Sequence, residues 1–581
     1  MRVSTPEDVA RLTRLASAAP APLVDKVHAA AHLAGERRVV TVLYADVVGS
    51  TALAEQMDLE AWTVMINDAL DHITPSIYRY EGTIAHVLGD SLLAFFGAPV
   101  AHEDDPIRAV RAALDLLMNA RTYAERVRQE YGVEFAMRAC LNTGPVVIGP
   151  VGEDLKYEYN PVGGVVNLTT RLKFAAQPMT ALISENTHRF VAPLFGCTDL
   201  GPIEVKGRKE PVRAYQVIGL KKEPGKLRGV AGLESPMVGR DQELATLVQL
   251  CETVRAGLGR AALIIGEPGV GKTRLISEWQ IAIQQKQIQP PTRWVMGQGL
   301  SYGQALPYHL LIHLLHNLMG VPLGTCEPDV RKPLIAIIKE YLGDAWLDVY
   351  PYLGHLLSLK LEGDAQERIQ VLDPQAIQAQ YLIALRRLLA SIAANNPLVL
   401  ILEDLHWADP SSTELLIRLL PLINDSPLLF CMVTRPERDA AGWKLVSTAR
   451  EVLGDSLVEL SLGALSDQSS QQLVSNLLEI DALPDEVRSH ILEKSEGNPL
   501  FVEEVIRMLI DRGAIVPTNG KWVAGSEIRE VEIPDNLQGL LLARIDRLPE
   551  EVKQTLRVAS VIGRQFPVKV LEQVIIGGEA E

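Results

Sequence analysis

The chain has 581 residues, 47% apolar and 22% charged, and a formal net charge of −16. That length exceeds a single core and predicts three or four folded domains, while the composition excludes a disordered or collagen-like chain. The acidic balance argues against a general nucleic-acid binder, and no uncharged 18-residue apolar run is present to predict a membrane span. The N-terminus lacks a continuous apolar signal core. Five scattered cysteines, with no C-x-x-C pair, read as reduced, packed thiols of a cytoplasmic protein.

Residues 1–35 are Ala-rich and predict a partly helical extension broken at Ala19-Pro-Ala-Pro22. Arg38 to Tyr44 is β-branched and apolar, ends at Asp46, and predicts a buried strand. Helical periodicity covers 51–79. Gly82 to Val87 and Ser91 to Phe96 predict two strands joined by a tight turn at Gly89-Asp90. A long helix is expected over Asp105 to Glu130. Strands follow at Phe135 to Cys140 and Pro145 to Ile148, which leaves Asn142 and Thr143 as turn residues. Val162 to Ala176 reads as a turn into a helix, and Thr180 to Ile183 and Val212 to Ile218 as late strands. This alternation predicts an α+β or α/β sandwich over 36–220. Residues 221–236, beginning Lys221-Lys-Glu-Pro-Gly-Lys-Leu-Arg228, read as a linker. An α/β domain is expected over 237–465, with core strands at Ala261–Ile265, Leu398–Leu402 and Leu428–Thr434. A helical part follows over 466–532, and 533–581 begins another helical unit. The abrupt ending Gly577-Gly-Glu-Ala-Glu581 reads as a cut in a longer chain.

Gly266-Glu-Pro-Gly-Val-Gly-Lys-Thr273 fits G-x-x-x-x-G-K-[ST] between an apolar strand and a helix. Backbone N–H groups of such a loop, with Gly266, Gly269 and Gly271 allowing close approach, cradle phosphates at a helix N-terminus. Lys272 supplies a charge to the β/γ-phosphates and Thr273 a hydroxyl to Mg²⁺. The strand Pro397-Leu-Val-Leu-Ile-Leu-Glu-Asp404 ends in two carboxylates where ligands sit in an open α/β sheet. One of Glu403 and Asp404 should hold Mg²⁺ and the other activate the attacking water; we assign Glu403 to the metal and Asp404 to the water. Arg435 closes another apolar strand and is placed to sense the γ-phosphate. This part of the chain is therefore expected to bind a nucleoside triphosphate, taken to be ATP.

Residues 237–560 resemble the signal-transduction ATPases of the AAA-related class (the STAND type). The resemblance rests on Val238-Gly-Arg-Asp241, the phosphate loop, Leu402-Glu-Asp-Leu-His-Trp-Ala-Asp409, Thr434-Arg435 and Gly497-Asn-Pro-Leu-Phe-Val-Glu-Glu504. It implies a slow nucleotide-dependent switch, followed at 533–581 by the start of a winged-helix-like module. That family usually shows two Asp residues where this chain has Glu403-Asp404.

In the front half, Asp46 at a strand end and Asp90 in a hairpin turn form a carboxylate pair that could share two divalent ions, lowering the pKa of an attacking hydroxyl and neutralising phosphate charge. The ordered set Val40-Thr-Val-Leu-Tyr-Ala-Asp-Val-Val-Gly-Ser-Thr51, Gly82-Thr-Ile-Ala-His-Val-Leu-Gly-Asp-Ser91, Arg138-Ala-Cys-Leu-Asn-Thr-Gly144, Gly149-Pro-Val-Gly152, Gly163-Gly-Val-Val-Asn-Leu-Thr-Thr-Arg171 and Val205-Lys-Gly-Arg-Lys-Glu-Pro-Val-Arg-Ala-Tyr215 resembles class III adenylate/guanylate cyclase catalytic domains. The resemblance implies a ferredoxin-like α+β fold and Asp46 and Asp90 as ligands to Mg²⁺ or Mn²⁺. It further implies Asn167 as the ribose-orienting residue, Arg171 as the transition-state arginine, and Lys206 or Arg208 as a phosphate contact. It also implies a homodimer, because the metal pair and the Asn/Arg pair come from opposite subunits. The base-reading positions depart from the family pattern: His86 stands where a Lys is usual and Asn160 where Asp or Thr is common. Both side chains can hydrogen-bond a purine edge. Pairing with this ATPase type favours ATP over GTP. The expected function is conversion of ATP to 3′,5′-cyclic AMP and pyrophosphate, with regulation by a protein or small molecule through a C-terminal region. The alternative is a weak or inactive cyclase-like domain that senses nucleotide or dimerises. A DNA-binding regulator would need a basic stripe, which is not evident.

Overall fold

The structure, a computed structural model, describes residues 36–98, 100–102, 104–148, 164–192, 194–205, 211–221, 235–286, 289–300, 303–304, 306–323, 325, 327–478, 488–489, 492, 495–511, 515–518, 521–524 and 556. The expected N-terminal extension, Asn160, Lys206, Arg208, nearly all of the linker and the winged-helix-like start lie outside them. The described residues fall in two compact units, one over 36–221 and one over 235–524.

In the first unit β1 (Glu36–Val47) runs antiparallel between β3 (Ser91–Phe96) and β4 (Met137–Ile148). With β2 (Thr83–Leu88), β5 (Ala181–Ser184), β6 (Phe195–Ile203) and β7 (Val212–Leu220) they form a sheet of order β2-β3-β1-β4-β5-β7-β6. Val40, Val42 and Tyr44 pack in one cluster with Val165 and Val166 of the helix Gly164–Leu172. The alternate residues Thr41, Leu43 and Ala45 are also buried, toward the other face. A strand covered on both faces reads as a continuous apolar run, which is why it was visible in the sequence.

The predicted 51–79 helix is two helices, Ser50–Gln56 and Leu59–Arg79; the chain resets at Asp58, whose carboxylate caps the second by accepting from the Glu60 N–H at 3.1 Å. The two strands expected on either side of Asn142 and Thr143 are one strand, and these residues are not in a turn. They pair with Val42 and Thr41 of β1. Their buried polar atoms are satisfied sideways: the Thr143 hydroxyl meets those of Thr41 (2.9 Å) and Thr187 (3.0 Å). Asn142 donates to the Val165 carbonyl (3.1 Å) and accepts from the Ser184 hydroxyl (2.7 Å). The helix Glu185–Val191 and edge strand β6 were not anticipated; β6 carries Asp199, Gly201 and Pro202 and has no apolar alternation.

A buried charge cluster joins the turn at Glu81 to the helix Asp105–Tyr131. His102 contacts Glu81 through Nε2 (2.8 Å) and Asp105 through Nδ1 (3.1 Å), and Arg108, fully buried, donates to Glu81 (2.9 Å) and Asp104 (2.8 Å). Burial and the Arg108 guanidinium push the imidazole down, but the hydrogen bonds it donates to Asp105 and Glu81 outweigh them and hold it above its ordinary 6.5. The stability this group contributes is therefore complete below pH 6.5 and lost as pH rises through the raised folded value. Hydrogen exchange across Asp105–Tyr131, corrected for intrinsic rate, is expected to lose protection above pH 6.5 in the native chain and to show a flatter profile in His102→Gln. Equal profiles would remove His102 from this role.

The second unit has a parallel sheet of order β12-β8-β11-β10-β9, built from β8 (Arg260–Gly266), β9 (Arg293–Gln298), β10 (Leu398–Glu403), β11 (Leu428–Thr434) and β12 (Leu457–Leu462). Two distinct apolar clusters meet strand residues. One includes Cys251, Trp279 and Ile283; the other includes Leu311, Leu388 and Leu415. This layering is that of an α/β domain with a parallel sheet. The expected helical part over 466–532 contains helices Asp467–Leu478 and Pro499–Asp511 but also an antiparallel ribbon, β13 (Ile515–Thr518) with β14 (Lys521–Ala524). The β-branched and aromatic residues Ile515, Val516, Trp522 and Val523 favour that ribbon over helix.

Candidate active site and nucleotide-binding loop

Asp46 lies near the carboxyl end of β1, directly opposite Ser91 of β3 and Arg138 of β4. It shares a strand face with Tyr44, two residues back. The Val47 N–H donates to the Asp90 carbonyl at 3.2 Å, so the Gly89-Asp90 turn, with Gly89 at φ +60, is brought beside Asp46. The first two predicted site residues are therefore adjacent.

Asp46 has an exposure of only 5% at its side chain, yet both oxygens face cations. Arg138 donates through Nε to Oδ1 (2.8 Å) and through Nη2 to Oδ2 (3.2 Å). Lys173 Nζ lies 3.3 Å from Oδ2, donates to the Tyr44 hydroxyl at 3.2 Å and sits 5.3 Å from the Tyr44 ring centroid. The hydrogen bond to Asp46 holds the Arg138 guanidinium above its ordinary value. Burial works against the charge on Lys173, but Tyr44 and Asp46 overcome it and its ammonium is also stabilised.

On the helix Gly164–Leu172, Val165, Val166, Leu168, Thr169 and Leu172 are buried. Asn167 is exposed and Arg171 half-buried, four residues apart on the side turned away from the sheet. They form a pair, but one that faces outward from the unit holding Asp46. His86 is buried in β2 beside a register shift in its pairing with β3.

In the second unit the loop after β8 turns through Gly269 (φ +82) and Gly271 (φ +97) into the helix Lys272–Gln285. A Cβ at Gly269 would stand 2.5 Å from the Asn498 Oδ1, so only glycine fits there. Asn498 donates to the Pro268 carbonyl at 2.9 Å, and the Leu500 N–H to the Gly269 carbonyl at 3.3 Å. The Gly497-Asn-Pro-Leu500 segment is thus fastened to the phosphate loop. Lys272 donates to the carbonyls of Gly266 (2.7 Å) and Glu267 (3.0 Å), and burial together with Arg435 lowers its ammonium to about 8. β11 lies between β8 and β10, so Arg435 follows the strand that separates the one leading to the phosphate loop from the one ending at Glu403. Arg435 is buried and lies 5.1 Å from the Trp407 ring centroid. Glu403 is buried with Oε1 unpartnered, and burial and the neighbouring Asp404 raise its carboxyl well above the usual range. Asp404 takes a left-handed conformation (φ +53) and accepts from Gln298 at 3.2 Å.

Residues 34–219 match the family model described as the adenylate and guanylate cyclase catalytic domain, 236–431 an AAA ATPase domain, and 466–522 a domain of unknown function (DUF8739). The chain joins a class III nucleotide cyclase domain to an AAA-type P-loop domain. Similar curated proteins include an uncharacterized protein of Rhizobium meliloti, 25% identical over 93% of this chain and 50% of that one. Adenylate cyclase type 10 of Rattus norvegicus is 20% identical over 93% of this chain and 35% of its own length. The chain thus spans half or less of these relatives. Among solved structures, the adenylyl cyclase CyaB of P. aeruginosa is 31% identical, covering 33% of this chain and all of that one, with a TM-score of 0.32.

The residues of the cyclase domain suit a divalent ion. Asp46 and Asp90 offer hard oxygen donors, and the two cations already drawn to Asp46 show that this spot favours positive charge. Among the described residues no cluster of three or more His, Cys, Asp or Glu side chains could hold a metal. In the P-loop domain the unpartnered Glu403 oxygen beside Thr273 suits Mg²⁺. Sequence reasoning gave no role to Arg138 or Lys173. Arg138 stood inside a quoted motif, but only strand register shows that it faces Asp46. No described helix is long and apolar enough to cross a membrane.

Proposed function

We propose that the chain converts ATP to 3′,5′-cyclic AMP and pyrophosphate at a site completed by a second copy, and that its P-loop domain is an ATP-dependent switch acting on that site. Divalent ions at Asp46 and Asp90 would supply neutralisation of phosphate charge and acidification of the ribose 3′-hydroxyl. The observation that carries the reading is the division of the site within one chain. Asp46 and Asp90 converge at one sheet end, while Asn167 and Arg171 face outward and can serve only a ligand brought against that face. Arg171 would offer a planar fork to the α-phosphate, Asn167 a hydrogen bond to the ribose, and Arg138, still held to Asp46, positive charge near the phosphates. ATP is favoured over GTP because the relatives similar along nearly the whole chain include adenylate cyclases. Asp404 would orient the water in the P-loop domain, with Lys272, Thr273 and Glu403 on Mg²⁺-ATP.

The test is cyclic nucleotide formation by the full chain with Mn²⁺, ATP and GTP in parallel. Asp46→Asn and Arg171→Ala are expected to be inactive alone. Mixed one to one, they should recover about a quarter of native activity, because half the dimers carry one intact site of two. No recovery on mixing would reject the shared site, and no product from either nucleotide would reject the cyclase. A second reading, a nucleotide-sensing domain without turnover, draws on the double cationic engagement of Asp46. ATP binding without product, with P-loop hydrolysis altered by Arg171→Ala, would favour it.

A further inference from the structure

Every oxygen of Asp46 faces a cation, but the two cations are held differently. Arg138 is the cross-strand neighbour of Asp46 in the β1–β4 ladder, so its position is fixed by the sheet. Lys173 is not on the sheet. It follows the last residue of the helix Gly164–Leu172, reaches Asp46 Oδ2 at 3.3 Å, and divides its hydrogen bonding between that oxygen and the Tyr44 hydroxyl. Its side chain is 27% exposed, against 5% for Asp46. A lysine is a point charge on a flexible stem, and the Tyr44 hydroxyl and ring, together with the Phe174 ring 5.7 Å away, give its ammonium other places to rest.

A divalent ion on Asp46 Oδ2 would sit about 2.0–2.6 Å from that oxygen. With Lys173 at 3.3 Å from the same oxygen, two cations would lie within a few ångströms of each other in a poorly solvated site, where their repulsion is weakly screened. Arg138 can keep Oδ1 while Oδ2 changes partner. Lys173 has no second Asp46 oxygen and must leave.

We propose that Lys173 is an internal counter-cation that competes with divalent metal for Asp46 and so sets the metal requirement of the cyclase site. The proposal rests on the assignment of Asp46 as a metal ligand. Metal arrival frees Lys173 and with it the end of the helix that carries Asn167 and Arg171. Removal of its charge admits metal more readily.

The experiment is a Mn²⁺ titration of the full chain without nucleotide, read by electron paramagnetic resonance of the free ion. Asp46→Asn identifies the Asp46-dependent binding. Lys173→Met is expected to tighten that binding by about tenfold, while Lys173→Arg, which keeps the charge, stays within about threefold of the native chain. Lys173→Gln provides a second uncharged variant should the methionine protein fail to fold, and ATP binding at the P-loop checks integrity. Unchanged or weaker Mn²⁺ binding in the uncharged variants overturns the proposal while leaving the metal site standing. Mn²⁺ binding that is the same in Asp46→Asn and the native chain overturns both the proposal and the metal assignment beneath it.

Discussion

Asp46→Asn is expected to lower cyclic nucleotide formation by at least about 10³-fold while leaving ATP binding at the P-loop unchanged. Asparagine keeps the shape of the side chain and one carbonyl oxygen, but it is a poor ligand for a hard divalent cation. Loss of a few kcal/mol of transition-state charge stabilisation corresponds to about three powers of ten in rate. The substitution also strips the counter-ion from Arg138 and Lys173. Their side chains are 18% and 27% exposed, so both can turn toward water, and the stability cost is modest beside the loss of activity. The comparison requires product quantification with saturating Mn²⁺ and a separate nucleotide-binding measurement on the same preparation. Product formation within about tenfold of the native rate would show that Asp46 is not the metal-holding carboxylate. Arg171→Ala, from the outward helix face, should show a similar loss with Mn²⁺ binding intact, which separates the two halves of the site.

Much of this arrangement was legible because it is written in local residue patterns. The phosphate loop, the Glu403-Asp404 strand end and Arg435 after an apolar strand are local patterns, and β8, β10 and β11 carry them at the ends the sequence indicated. Asp46 and Asp90 were legible for the same reason. The misreadings have a common physical origin in tertiary pairing. Asn142 and Thr143 look like turn residues until Thr41, Thr187, Val165 and Ser184 are seen to satisfy them inside a strand. Edge strands β6, β9 and β12 escaped because half-exposed strands alternate weakly with polar residues. The register that sets Arg138 against Asp46, and the chain turn that returns Lys173 to it, depend on contacts 92 and 127 residues apart in sequence (138 minus 46 and 173 minus 46), beyond any periodicity.

The largest stability effect in the cyclase domain is expected at Arg108. Arg108→Met should destabilise that unit by about 3 kcal/mol, the low end of the cost of breaking a buried ion network. The guanidinium is fully buried and donates to the Asp104 carboxylate (2.8 Å), the Glu81 carboxylate (2.9 Å) and the Tyr80 carbonyl (3.2 Å). Methionine fills much of the volume, so the packing loss is small. The cost comes from the acceptors left behind. The side chains of Glu81 and Asp104 are 23% and 18% exposed, so water reaches each in part, and Glu81 keeps His102 at 2.8 Å; these two facts place the effect at the low end. Glu81 itself holds a left-handed backbone (φ +58) at the turn into β2, so its anchorage matters to the hairpin that ends in Asp90. Urea-dependent hydrogen exchange of β1 to β4 amides measures this unit by itself, which a whole-chain melt of two units does not. A drop of about 3 kcal/mol in the opening free energy of those strands, with P-loop amides unaffected, is the expected result. A change under about 1 kcal/mol would show that water replaces the guanidinium at little cost. In that case the hairpin carrying Asp90 is held by its apolar face alone.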